Sequence, residues 1–372
     1  VSTYYNPVRV TLAPGCAGAL PERLGKLAVE DSRVLLVVRD AALLDMPALA
    51  GLADRWDVHS LVYAESLPTL SQLLALHNQL QPFAPRAIVG VGGGSVLDVA
   101  KSLASLLHQP LGGLDALRAI LHSREFPAGA IPWIGLPTTA GTGSEVTCWA
   151  TLWDPDQGAK WSLENPRNYA YAALVDAELL AGIPLGLATT TGLDAAAHAI
   201  ESYWARAANP ISSALALRAL SLLFPSLERL PDKPAAVHPA LAEGSLLAGL
   251  AFSNTRTTGC HSISYPLTMR HGLPHGAAVA MLLGPVLALN YPATMGREAL
   301  LDALGVSSPQ ELTARVRQIL RGAGLPDTLS GWGVPAAALP DLAQAGITPG
   351  RADNNPVELN PARVLALLQE TF

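Results

Sequence analysis

The chain has 372 residues, of which half are hydrophobic and only 15% are charged, with a formal net charge of −6. That length accommodates two domains with substantial cores, and that composition excludes a disordered chain. An acidic balance without a dense basic run argues against nucleic acid as the main partner.

The opening stretch, residues 1–10, lacks both a charged n-region and an apolar h-region, so no signal peptide is expected. Apolar runs are interrupted by Gly, Pro or charge before 18 residues, so no membrane span is expected either. The three cysteines, Cys16, Cys148 and Cys260, are far apart and form no C-x-x-C, which gives no disulfide framework. The expectation is a soluble, cytoplasmic protein.

Residues 8–12 predict a short first strand ending at Pro14-Gly15, and residues 20–27 have helical spacing. Arg33-Val-Leu-Leu-Val-Val38 is a continuous apolar run suited to a buried parallel strand. Residues 48–53 predict a helix, 57–63 a strand, 70–80 a helix and 87–91 a third strand. Strands alternating with helices imply right-handed βαβ units and a parallel sheet. Asp40, just past the second strand, has two readings. It can accept from a ribose hydroxyl, which would favour NAD over NADP by repelling a 2′-phosphate, or it can cap a helix.

Gly92-Gly93-Gly94-Ser95 follows the third strand and opens a helical pattern containing Asp98 and Lys101. Three glycines allow close backbone approach, and the helix N-terminus offers N–H groups to a pyrophosphate. One glycine would suffice for a plain turn. The pattern is not G-x-G-x-x-G, which argues against an ordinary Rossmann dehydrogenase. Residues 131–136 predict another strand, leading into Pro137-Thr-Thr-Ala-Gly-Thr-Gly-Ser-Glu145. The hydroxyls of that loop can bond a nucleotide or simply form a turn.

Thr190-Thr-Gly-Leu-Asp-Ala-Ala-Ala-His-Ala-Ile-Glu201 reads as a helix start and a helix. Asp194 and His198 then stand one turn apart on one face, where they can share a divalent metal. In isolation they can equally be a helix N-terminal acid and a satisfied histidine. Two further ligands are available in His261 and His275, the latter within Pro274-His275-Gly276, a tight helix start. From Leu185 onward strand patterns fade, and Ala- and Leu-rich helical stretches such as 212–223 and 240–252 take over. Residues 231–234 and 335–340 read as connectors, and Pro361–Glu370 as a terminal helix.

Four motifs in order now carry a resemblance: Gly92-Gly-Gly-Ser-x-x-Asp98-x-x-Lys101, the Pro137–Glu145 loop, Gly192-x-Asp194-Ala-x-x-His198-Ala-Ile-Glu201, and Pro274-His275-Gly276. The chain resembles the iron-containing (group III) alcohol dehydrogenases over nearly its whole length. The resemblance implies a dehydroquinate synthase-like fold. An α/β dinucleotide-binding domain with a parallel sheet, residues 1–184, would precede an all-α metal-binding and substrate domain, residues 185–372, with metal and cofactor in the cleft between. It implies Asp194, His198, His261 and His275 as ligands to Fe²⁺, with Zn²⁺ as the alternative. Gly92, Gly93, Gly94 and Ser95 would hold the pyrophosphate of NAD(H) or NADP(H). Asp98 and Lys160 would lie near the nicotinamide, and Thr138, Thr139, Thr142 and Ser144 would touch the nucleotide. A homodimer or larger oligomer is implied as well.

Two departures stand out. Many family members have a histidine four residues after the third metal ligand, often assigned to proton relay, and here that position is Tyr265. Tyrosine titrates far from neutrality, so Tyr265 and the nearby His271 are the candidate relay residues. The second departure is Asn254-Thr-Arg-Thr-Thr-Gly-Cys-His261. If this segment is helical, Thr257 and Thr258 lie on the face of His261. Arg256 with two hydroxyls would suit a tetrahedral anion. The segment is similar to the branch of the family that reduces phosphonoacetaldehyde to 2-hydroxyethylphosphonate.

The expected activity is therefore metal-dependent, NAD(P)-linked reduction of an aldehyde, with phosphonoacetaldehyde the leading substrate. The alternatives are a general short-chain alcohol dehydrogenase, a dehydroquinate synthase-like carbon–oxygen lyase, and a binding protein without catalysis.

Overall fold

Val34, Leu36 and Val38 turn to one face of a sheet, and Leu35 and Val37 to the other, because successive strand side chains alternate. Both faces are covered, which is why the run is apolar throughout. The computed structural model describes residues 3–29, 32–126 and 129–372. Val1 and Ser2, at the head of the stretch read for a leader, lie outside the described residues.

The strands are β1 Arg9–Leu12, β2 Arg33–Val38, β3 Asp57–Val62, β4 Ala87–Gly92, β5 Trp133–Pro137, β6 Trp149–Asp154, β7 Ala159–Glu164 and β8 Ala172–Val175. Six of them form one parallel sheet in the order β1-β8-β5-β4-β2-β3. β6 and β7 pair antiparallel in a separate ribbon. The sequence reading did not place this hairpin or β8. The ribbon turns at Gly158, whose φ of +58° is the left-handed conformation that glycine adopts without strain. On one face of the sheet Leu35, Val37 and Ile88 pack with Leu97, Leu103 and Trp133. On the other, Val34, Val89 and Val91 pack with Leu20, Leu24 and Trp56.

The chain divides into two units. One is the α/β unit, Asn6–Thr139 with Gly143–Leu180. The other is Ala181–Phe372, joined by the chain up to Tyr5 and by Ala140–Thr142 from within the hydroxyl-rich loop. Its described residues are helical or irregular. The fold class is thus a parallel α/β unit plus an all-α unit, as expected.

The helix carrying Asp194 runs Leu185–Trp204, so it starts earlier than the Thr190 start read from sequence. Pro184 sets its beginning. Thr190 and Thr191 are tolerated inside because their hydroxyls donate back to the Leu187 carbonyl. Residues 335–340 are not simply a connector, because a helix begins at Leu339 with Pro340 in its first turn.

Three stretches, Pro210–Arg229, Pro234–Thr255 and His275–Ala293, are long and apolar enough by length and composition to cross a membrane. This corrects the reading that no stretch qualifies. Counting unbroken apolar residues missed them, because Ser, Gly and Pro interrupt the runs while leaving the mean hydropathy high. Within the helical unit, Val279, Leu282, Leu283, Val286 and Leu287 of the last stretch are fully buried, as an all-round apolar helix in a protein core must be.

Close packing of that stretch depends on Gly284, where a Cβ would overlap the side chain and backbone of Thr313. Gly284→Ala is expected to cost about 1–3 kcal/mol through overpacking, read as a lower midpoint in urea or thermal unfolding.

Candidate functional site

Helical geometry brings Asp194 and His198 to one buried face of the Leu185–Trp204 helix. His261 is the third residue of the Gly259–His271 helix, and His275 is the first residue of the His275–Asn290 helix. The start at His275 can approach because residue 276 is glycine: a Cβ there would overlap the Thr190 carbonyl and meet the Asp194 Cβ at 3.2 Å. The Pro-His-Gly pattern therefore has a packing reason.

These four side chains converge. His261 Nε2 lies 3.4 Å from Asp194 Oδ1 and 3.1 Å from His198 Nε2. His275 Nε2 lies 3.9 Å from Asp194 Oδ1, and His198 Nε2 lies 4.0 Å from Asp194 Oδ2. Ligand atoms of Asp194, His261 and His275 all fall within 4.8 Å of one another. With metal–ligand bonds of about 2.1 Å, neighbouring tetrahedral ligands stand roughly 3.4 Å apart, so the spacing fits a shared cation. Asp194 Oδ1 is buried and no well-formed hydrogen bond reaches it, the His261 contact at 3.4 Å being long, an arrangement that is costly unless something else binds it. A donor set of three imidazoles and one carboxylate suits Fe²⁺ or Zn²⁺.

The electrostatics follow from burial and neighbours. Burial alone would raise the Asp194 carboxyl, but His198, His261 and His275 outweigh it and hold it well below the ordinary carboxylate range. Burial pushes the His198 imidazole down to about 4, against the pull of Asp194. Burial also opposes the charge on His261, but Glu201 and Asp194 carry that imidazole up to about 10. His198 Nδ1 faces the Gly141 carbonyl at 3.3 Å, which leaves Nε2 directed into the cluster. Sequence reading assigned Gly141 and Glu201 no role, although Glu201 sits seven residues after Asp194 on the same face.

Around the cluster, the Tyr265 ring stacks on His275 at 5.8 Å between centroids. His271 ends its helix, and among the described residues no hydrogen bond or ring contact joins it to the cluster. The segment of Arg256, Thr257 and Thr258 is not helical. It is the break between the helices Pro234–Thr255 and Gly259–His271. Thr257 and Thr258 therefore do not reach the face of His261 by helical spacing. Arg256 holds φ +64° and ψ −179°, a conformation costing on the order of 1–3 kcal/mol for a non-glycine residue. Thr258 Oγ1 is engaged inside the protein, donating to Glu201 and accepting from Trp204 Nε1.

In the α/β unit the loops at the C-terminal ends of adjacent strands come together. Gly92 ends β4, Gly93 caps the Gly94–Leu106 helix, and the Thr138 amide donates to the Gly92 carbonyl. A Cβ on Gly92 would strike Val96 at 2.6 Å, and one on Gly93 would press the Thr139 side chain at 3.2 Å. Open amides at that helix start suit a phosphate. Ser95 Oγ donates to the Ser66 carbonyl at 2.6 Å. Asp40 accepts from the Ala42 amide at 2.9 Å as the cap of a short helix, so the capping reading describes its observed contact. Lys160 lies on β7, opposite Trp153; burial raises the Asp98 carboxyl, and the Lys160 charge is among the influences that oppose the rise. Thr142 falls in the stretch that clusters with the helical unit.

Asp98 and Ser144 form part of an internal network that the sequence did not reveal. Ser144 Oγ donates to Asp98 at 2.6 Å, and the Thr151 amide donates to the other Asp98 oxygen. The fully buried Lys101 donates to Ser144, Thr147 and the Trp149 carbonyl. Burial lowers this ammonium to about 8, against Asp98. These contacts fasten the hydroxyl-rich loop to the Gly94–Leu106 helix.

The model for the C-terminal part of the Fe-containing alcohol dehydrogenases matches residues 188–372, and that for iron-containing alcohol dehydrogenase matches residues 7–177. The chain belongs to the iron-containing alcohol dehydrogenase family. It is an oxidoreductase of the kind that acts on CH–OH groups. Sulfoacetaldehyde reductase of Bilophila wadsworthia is 32% identical over 84% of each chain. Phosphonoacetaldehyde reductase of Streptomyces viridochromogenes is 33% identical over 81% of this chain and 80% of its own. The crystal structure of sulfoacetaldehyde reductase from Bifidobacterium kashiwanohense in complex with NAD⁺ has a TM-score of 0.89 and 26% identity, covering 100% of this chain and 98% of that one.

Within the family motif Pro137–Glu145, Glu145 is buried against Gly135, and burial pushes its carboxyl up to about 7. A folded-state value above the unfolded one means that the protonated form is favoured on folding. Its contribution is complete below about 4.5 and is lost as pH rises through about 7. Stability of the wild type relative to Glu145→Gln is expected to fall by on the order of 1 kcal/mol per pH unit between those values, measured by urea unfolding of both proteins.

Proposed function

We propose that the protein is a metal-dependent, NAD-linked reductase of short aldehydes carrying a tetrahedral anion, with phosphonoacetaldehyde reduced to 2-hydroxyethylphosphonate as the leading reaction. We further propose that it works as a cytoplasmic homodimer, as the family resemblance implies. Asp194, His198, His261 and His275 would hold Fe²⁺, with Zn²⁺ the alternative. A bound divalent cation supplies Lewis acidity toward a carbonyl oxygen, and a nicotinamide supplies the hydride.

The chain's own residues have separable tasks in this reading. Gly92–Gly94 and the helix start present amides to the pyrophosphate, with Thr138 and Thr139 lining the same turn. Asp40 disfavours a 2′-phosphate by charge. Arg256 orients the anionic tail of the substrate. Tyr265, stacked on His275, is the nearer of the two relay candidates, and its hydroxyl can hold a proton donated toward the nascent alkoxide.

The observation that carries the substrate class is Arg256 on a strained backbone, five residues before His261, the third residue of the ligand set. Strain of this kind persists where a side chain must be held in one place. Sulfoacetaldehyde is a second reading, supported by the similar identity of the relatives named for a sulfonate and for a phosphonate.

Oxidation of NADH and NADPH with phosphonoacetaldehyde, sulfoacetaldehyde and propanal, in Fe²⁺- and Zn²⁺-loaded protein, tests the proposal. Strong preference for an anionic aldehyde is expected. Arg256→Ala should raise its KM about 10- to 100-fold, equivalent to one charge-assisted hydrogen bond of about 1.5–3 kcal/mol. Turnover of propanal should hardly change. Equal losses on charged and uncharged aldehydes would return Arg256 to a structural role and leave a general alcohol dehydrogenase.

A further inference from the structure

The Leu185–Trp204 helix carries a second inward acid that the ligand set does not use. Glu201 lies seven residues after Asp194 and three after His198, on the same face, and is fully buried. Both of its oxygens are engaged. Oε1 accepts from Thr258 Oγ1 at 2.8 Å and from the Cys260 amide at 2.7 Å, with the His261 amide at 3.4 Å. Oε2 meets Nδ1 of His261.

Two of these donors are among the first N–H groups of the Gly259–His271 helix. Its own capping residue, Thr258, supplies no side-chain bond to them. Glu201 therefore caps that helix from a different helix, and the same carboxylate turns the imidazole of its third residue. Trp204 Nε1 donates to Thr258 Oγ1 at 2.7 Å, which orients the threonine proton toward Glu201. A carboxylate suits this position because it accepts at both oxygens. An amide of the same shape would set N–H donors against N–H donors.

With Nδ1–H donated to Glu201, the ring nitrogen left for a ligand bond is Nε2. That atom faces Asp194 and His198. We infer that Glu201 is a positioning residue: it fixes the tautomer and orientation of His261, and thereby sets the affinity of the four-residue cluster for a divalent cation. The inference rests on the metal reading proposed above.

The test is a Co²⁺ titration of metal-free wild type, Glu201→Gln, Glu201→Asp and His261→Ala. Visible absorption reports the ligand field, a chelator competition gives Kd, and thermal midpoints are measured on the same samples. Wild type is expected to bind one Co²⁺ per chain. Glu201→Gln should bind about 10- to 100-fold more weakly, with a shifted absorption band, while still unfolding cooperatively. Glu201→Asp keeps both acceptors on a shorter arm and should fall between the two. If the Gln variant does not fold, the Asp variant must show the weakening by itself.

A lowered midpoint with wild-type Kd and an unchanged band, in whichever variant folds, would reduce Glu201 to a helix cap and overturn the inference. That result differs from failure of the metal reading, in which wild type and His261→Ala alike bind no Co²⁺ and both ideas fall.

Discussion

A buried carboxylate ringed by imidazoles is the constraint around which the helical unit is built. Asp194 Oδ1 is surrounded by imidazoles that pull its titration down against burial, with His261 Nε2 at 3.4 Å and His275 Nε2 at 3.9 Å. Leaving such an atom with only long contacts in a protein interior is unfavourable by roughly 1–3 kcal/mol or more. The local sequence tolerates that cost and adds to it. Arg256 takes a backbone conformation that glycine would adopt more easily, and residue 276 must stay without a side chain. The departure at Gly276 lies directly against Asp194, and the one at Arg256 lies five residues before His261 in the chain.

The α/β unit solves a different problem with buried charge. Lys101 is removed from water altogether, yet its three protons all find oxygens and Asp98 lies 3.9 Å away. A fully satisfied ammonium of this sort contributes rigidity more than net free energy, because desolvation offsets much of what the contacts supply. Its effect is to hold the loop containing Ser144 against the helix that follows the glycines. The polar residues of these motifs are thus divided. Some, such as Thr138 and Thr139, stand at the turn itself, while Asp98 and Ser144 brace it from beneath.

Much of this was legible in the sequence because its signals are local. β2 and the Leu70–Leu80 helix have the expected bounds, since an unbroken apolar run of valine and leucine and a Thr-x-x-Gln capping box each specify one structure. The spacing of Asp194 and His198 likewise needed only helical geometry. What escaped was tertiary. The helices containing Pro225, Pro239, Pro266 and Pro285 run straight through residues that ordinarily end a helix. Packing of apolar surface decides those positions, and no short window of residues contains that information. Glu201 was visible in its motif, but its partner His261 is sixty residues on, and only the fold brings a helix N-terminus to it. The helical reading of Arg256–Thr258 failed for the same reason: nothing local announces an arginine at positive φ.

The four residues of the cluster belong to three helices, Leu185–Trp204, Gly259–His271 and His275–Asn290, which the chain joins only through long or looped connections. A cation held by all of them would tie distant parts of the folded polypeptide together and bind the folded chain in preference to the unfolded one, as well as serving the reaction. Occupancy and conformational stability would then be linked quantities, each measurable through the other. In a cell where the available metal varies, the lifetime of the folded protein would vary with it, so that supply of the ion would regulate how much enzyme exists as well as how much is active.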